Sequence, residues 1–154
     1  MRLAASIGAI ALAFYPLTAV AHVTVWPRQS EQGARESYVI RMPNEKRSAT
    51  VRLDGEFPAE VRVTSVRQAP GWTLEIKRDA AGAIVGASWV GELPPDQFAE
   101  FGVLAVNPKE GSAITWRFTQ TYADGTTVNW TGAPGAPTPA PQVALRPSAE
   151  PPRH

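Results

Sequence analysis

Cysteine is absent from this 154-residue chain, so neither a disulfide framework nor thiolate metal chemistry is open to it. Histidine is nearly absent. There are two, His22 and His154, and apart from the initiator Met42 is the single methionine. A copper centre of the type built from two histidines and a cysteine is therefore excluded, and a catalytic brace with a second histidine would have to recruit the last residue of the chain. An excess of one charge is missing too: 15 Lys and Arg stand against 14 Asp and Glu, and removal of residues 1–21 takes one base with it. With no basic stripe to hold a phosphate backbone, nucleic acid is excluded as a partner class. Long apolar runs are also missing, since none reaches the roughly 18 residues needed to cross a bilayer.

What is present begins with an export signal. Arg2 gives a positive start, residues 3–14 form an uncharged, mostly apolar run, Pro16 interrupts it, and Ala19, Val20 and Ala21 have the small-x-small form of a cleavage site. These features predict a signal peptide over residues 1–21 and a periplasmic or secreted product. No later apolar stretch follows, and no lipobox cysteine precedes the cut, so no membrane anchor is expected. Cleavage after Ala21 would make His22 the first residue. Its α-amine and its ring Nδ1 could then close a chelate on one ion, which an internal histidine cannot do. Copper(II) favours such nitrogen donors most among the common divalent ions.

From His22 onward the pattern has period two, broken by turn residues every ten positions or so. Val23 and Val25 alternate with His22, Thr24 and Trp26, which places the histidine and the valines on opposite faces of a first strand. Further strands are predicted over residues 37–42, 49–53 (Val51 and Leu53 inward), 60–66 (Val61 and Val63 inward), 72–77, 84–90, 98–106, 113–122 and 126–131. In the strand over 113–122, Ile114, Trp116, Phe118 and Gln120 share a face. Asp124-Gly125 is the sharpest hairpin signal. Many short strands and no helical period predict an all-β fold: an antiparallel two-sheet sandwich of immunoglobulin-like or cupredoxin-like kind. After Gly132 the composition turns to Pro and Ala, so the domain is expected to span residues 22–132, followed by a disordered tail over 133–154.

The only chemistry this donor set can build is a His22 chelate completed by a carboxylate and water. Glu45, in the Pro43-Asn44-Glu45-Lys46 loop, and Glu36, at the head of the second predicted strand, are both suitable carboxylates. Neither offers the soft donor that copper(I) prefers. Binding should weaken on acidification, because the amine (about 7.7–8.0) and the imidazole (about 6.5) must both lose protons.

The opening His22-Val23-Thr24-Val25-Trp26-Pro27, the loop Met42-Pro43-Asn44-Glu45-Lys46, the turn Pro70-Gly71-Trp72 and the ending Gln120-Thr121-Tyr122-Ala123-Asp124-Gly125 with Asn129-Trp130 resemble the YcnI copper-binding domain family. The resemblance implies an exported domain that holds one copper(II) per chain in a mono-histidine brace. Transferred by position, the site residues are His22, Glu45 and Trp130, with Glu36 the alternative carboxylate. The predicted terminal histidine and the scarcity of any other donor point to a non-enzymatic role in copper homeostasis, with a membrane copper importer or another periplasmic copper carrier as partner. Two rival classes stay open: a copper-dependent oxidase or monooxygenase, and a metal-free envelope binding module. For Trp130 a plain core role competes with a site role, as it does for Trp72, Trp89 and Trp116.

Overall fold

Alternation of apolar and polar residues produces strands throughout the computed structural model, which describes residues 21–149. The predicted signal segment over 1–20 and residues 150–154, His154 among them, lie outside the described residues. Twelve strands and no helix occupy the rest: β1 (Thr24–Trp26), β2 (Gln29–Glu31), β3 (Arg35–Asn44), β4 (Thr50–Glu56), β5 (Arg62–Val66), β6 (Thr73–Arg78), β7 (Ile84–Leu93), β8 (Gln97–Val106), β9 (Ala113–Thr115), β10 (Arg117–Tyr122), β11 (Thr127–Trp130) and β12 (Gln142–Arg146). The main sheet runs β1-β3-β8-β5-β7-β4-β10-β11, with β6 also on β7. Its two halves meet at one residue pair, Val63 opposite Ile84, so the sheet curls there and folds back on itself. Trp89 of β7 then meets Phe101 of β8 across the interior, ring centroids 4.8 Å apart. This is the expected sandwich, of the immunoglobulin-like kind.

The period-two reading places most of the core. Val23, Val25, Tyr38, Ile40, Met42, Leu53, Phe101, Val103, Ile114, Trp116 and Phe118 are all buried. Fully burying such side chains contributes about 1.5–3 kcal/mol each, as an upper bound. Val51 departs from the expectation and is only half-buried. A bulge between Thr50 and Arg52 interrupts the alternation there, because the extra residue of a bulge leaves the ladder. The strand predicted over 113–122 is two strands. At Trp116 the chain leaves the small sheet, where β9 pairs with β12, and enters the main one, where β10 pairs with β4.

The boundary at Gly132 is corrected by the structure. Residues 133–149 are ordered against the domain: Gly132 bridges to Pro139, Trp116 N–H donates to the Pro141 carbonyl at 2.9 Å, and β12 lies between β2 (parallel) and β9 (antiparallel). Val143 is fully buried and Leu145 is 6% exposed. The signal was the alternation Val143, Ala144, Leu145, five residues of strand hidden in the average composition of a Pro/Ala-rich stretch. Gly132 itself makes the return possible, since a Cβ there would lie 2.8 Å from the Thr138 carbonyl oxygen.

Candidate metal centre

His22 is placed by the two residues that follow it in the core pattern. Val23 and Val25 are buried and β1 is hydrogen-bonded to β3 with Thr24 opposite Arg41. The half-buried imidazole is thereby presented at the sheet edge, its ring centroid 5.6 Å from that of Trp130 at an interplanar angle of 54°. Continuing the β1–β3 register two residues brings His22 opposite Pro43, so the connection after β3 passes the N-terminal end of β1. There Ala21 N–H donates to Glu45 Oε2 at 2.8 Å. His22, Glu45 and Trp130, far apart in the chain, are gathered in one place.

Glu36 is placed elsewhere. It lies toward the other end of β3, roughly 20 Å from the position opposite His22 at ~3.3 Å per residue. Both of its oxygens are engaged, Oε2 by the Ser30 hydroxyl at 2.7 Å and Oε1 by Ser37 N–H at 3.1 Å. The neighbour of Glu45, Lys46, does not pair with it. The Lys46 ammonium sits 4.2 Å from the Tyr122 ring centroid and donates to Thr126 Oγ1 at 3.4 Å. Among the described residues Glu45 has no ion-pair partner, and its single hydrogen bond is the one from Ala21.

Two buried amides hold these groups in position. Gln120 Nε2 donates to the Pro43 carbonyl (3.0 Å) and to Thr50 Oγ1 (2.8 Å), while its Oε1 accepts from Trp130 Nε1 (3.1 Å). One side chain thus ties the indole to the strand end that carries Glu45. Asn44 fixes the loop itself: Nδ2 donates to the Ser48 and Leu93 carbonyls, and Oδ1 accepts from Lys46 N–H. Each amide has all its donors and its acceptor satisfied, as burial demands. The sequence reading did not assign these roles, although a glutamine on a face otherwise made of Ile114, Trp116 and Phe118 was the available signal. Tyr122, under the Lys46 ammonium, is buried nearby. Its phenol is pushed above the usual range by burial, despite a hydrogen bond with Thr50, and the Asp124 and Glu45 carboxylates add to the rise.

Among the described residues no group of three His, Cys, Asp or Glu side chains converges. Side chains alone supply one nitrogen and one carboxylate here. Met42, the remaining soft candidate among the described residues, is sealed in the core at 0% exposure.

Fold and site together define an immunoglobulin-like β-sandwich that gathers an imidazole, a carboxylate and an indole at its N-terminal edge. The model of the family described as a domain of unknown function, DUF1775, matches residues 22–145, and the chain belongs to that YcnI-like family. It is 32% identical over 130 residues to the copper-binding protein CutI of Bacillus subtilis (strain 168), an alignment that covers 83% of this chain and 64% of CutI. The chain thus spans somewhat less than two thirds of that relative. Among solved structures, an uncharacterized protein from Nocardia farcinica with an immunoglobulin-like fold superposes with a TM-score of 0.70 at 28% identity, covering 80% of this chain and 97% of that one. A type I cohesin from Pseudobacteroides cellulosolvens gives 0.51 at 10% identity, over 86% of this chain and 96% of the other, a likeness of fold alone.

Proposed function

We propose that this is an exported protein that binds one copper(II) ion at its mature N-terminus through a mono-histidine brace, and that it holds the ion for storage or hand-over in copper homeostasis. The observation that carries the reading is the 2.8 Å hydrogen bond from Ala21 N–H to Glu45 Oε2, next to an imidazole that faces Trp130. Cleavage after Ala21 removes the one donor to that carboxylate and turns the nitrogen of His22 into a primary amine beside it. Amine, imidazole and carboxylate then supply two nitrogens and one anionic oxygen, a set that suits copper(II) and offers nothing soft to copper(I). Membership of the same family as a copper-binding protein supports the choice of ion. The Trp130 indole shields one side of the imidazole and restricts solvent access.

The role is that of a carrier rather than a catalyst. The single histidine among the described residues is His22, so the second imidazole of an oxidative two-histidine brace has no source in the folded domain. Copper is cargo in this reading, received from and passed to other periplasmic carriers or a membrane importer.

Intact mass of protein secreted by its own signal, followed by copper(II) titration under EPR, tests the proposal. A mass beginning at His22 and one copper per chain with nitrogen hyperfine structure is the expected result. A different N-terminus, or binding no tighter than to a short control peptide, overturns it. Copper-loaded protein should also oxidise ascorbate no faster than free copper does; a large acceleration would favour an oxidase.

A further inference from the structure

Beside His22 opens a cleft of about 220 Å³ that contains neither Glu45 nor Trp130. Its walls come from two remote parts of the chain: His22, Thr24 and Arg28 around β1, and Pro139, Pro141 and Gln142 leading into β12. Arg28 is exposed, and its guanidinium carbon lies 5.7 Å from the centroid of the Trp26 ring. That ring supports the guanidinium without consuming its N–H donors. Among the described residues Arg28 has no carboxylate partner, and no acidic side chain lines the cleft. Thr24 Oγ1 accepts from Trp26 Nε1 at 3.1 Å, which leaves the threonine hydroxyl proton to donate, and Gln142, whose Nε2 donates to Thr115 Oγ1 at 3.2 Å, keeps its second amide N–H.

This is a donor-rich, acid-free cleft next to the imidazole, with an apolar wall of prolines. An ion held by two neutral nitrogens and one carboxylate keeps one net positive charge, and Arg28 adds a second. The space is below the roughly 300–1,000 Å³ of drug-sized pockets, so its natural occupant is small. A planar carboxylate matches the guanidinium fork in two parallel hydrogen bonds, and its carbon skeleton can lie on the prolines.

We infer that this cleft is a co-ligand site for a small carboxylate, which the Arg28 fork holds against the ion at His22. The inference rests on the proposed brace for its second half: carboxylate and copper bind as a ternary complex, and each tightens the other by the same factor, as linkage requires. Copper would then be received or released together with a small organic acid or amino acid.

The test titrates propionate, with chloride as the comparison anion, into copper-loaded wild-type protein and Arg28→Ala, followed by EPR. Metal-free samples are titrated in parallel under two-dimensional amide NMR, whose dispersion also verifies that Arg28→Ala is folded. Loss of a charge-assisted bidentate contact should raise the half-saturating propionate concentration by ~10-fold or more, while copper affinity without propionate stays unchanged. Chloride should show little dependence on Arg28, and Arg28→Lys should recover part of the propionate response. Wild type and Arg28→Ala responding alike to propionate overturns the inference and leaves the brace untouched, as does an equal dependence for chloride. If copper fails to bind at all, the brace falls on its own. In that case propionate-induced shifts at Thr24, Arg28 and Gln142 that vanish in Arg28→Ala would uphold the carboxylate site, and their absence would remove it.

Discussion

The two ends of β3 each carry a glutamate next to a buried amide network, and they differ in what the network leaves over. At the Glu36 end, Tyr38 hydroxyl donates to Asn107 Oδ1 (2.6 Å), Asn107 Nδ2 donates to Ser30 Oγ (2.9 Å) and to the Glu31 carbonyl (2.8 Å), and Ser30 donates to Glu36. The chain of bonds closes on the carboxylate and consumes it. At the Glu45 end, Gln120 and Asn44 satisfy themselves on carbonyls, a hydroxyl, a backbone N–H and an indole, and among the described residues the carboxylate accepts only from Ala21 N–H. Equal residue types, one within β3 and one just past its end, thus acquire different surroundings. A carboxylate with both oxygens engaged by its own fold is structural, whereas one that keeps an oxygen unengaged is available to a ligand.

Breaking each end separately sharpens this contrast. The largest effect is expected from truncation after Gly132, which strips β12 from β2 and removes Ser30's cover. Loss of the buried Val143 and Leu145 should cost about 3–6 kcal/mol as an upper bound, read as a collapse of the urea midpoint. His22→Ala, or a methionine left in front of His22, should leave the fold intact. By competition titration it should weaken copper(II) binding by more than the ~10–100-fold typical of losing an outer partner. Next comes a matched pair. Gln120→Leu orphans the Trp130 indole N–H and should lower stability by ~1–3 kcal/mol and copper affinity by ~10-fold, whereas Asn107→Leu should cost similar stability with no change in copper affinity. Glu45→Gln should weaken copper binding with little effect on stability, and Glu36→Gln the reverse. Equal copper affinities across that pair would dissolve the distinction between the two ends.

The smallest effect is on alkaline stability. Burial pushes the phenols of Tyr38 and Tyr122 above their usual value. Each therefore favours the folded state fully below the unfolded phenol value of about 10, and that contribution is lost as pH rises from there through the raised folded value. Tyr38→Phe and Tyr122→Phe should each flatten the fall in the chemical-denaturation midpoint between neutral and strongly alkaline pH.

Much of the strand pattern was legible because period-two burial is local. Val23 with Val25, and Ile114 with Trp116 and Phe118, point inward as read. The Asp124-Gly125 turn joins β10 to β11, Gly125 taking a φ of 85° that glycine adopts without cost. β2 was invisible because Gln29, Ser30 and Glu31 contain no apolar residue; it is a strand only because β12 pairs with it. β12 was obscured by the prolines around it, and the bulge at Thr50 shifted Val51 out of the core.

The sequence by itself determined which side chains of most strands face inward and how few donors the protein owns, since both follow from the order and the inventory of residues. His22 was legible as a candidate on the same grounds. Tertiary structure alone decided which glutamate stands beside that histidine, that Gln120 links Trp130 to the strand end carrying Glu45, and that Arg28 shares a cleft with a segment more than a hundred residues downstream. The reason is physical: register between strands and the closure of buried hydrogen bonds depend on partners remote in the chain, and local pattern carries no information about them.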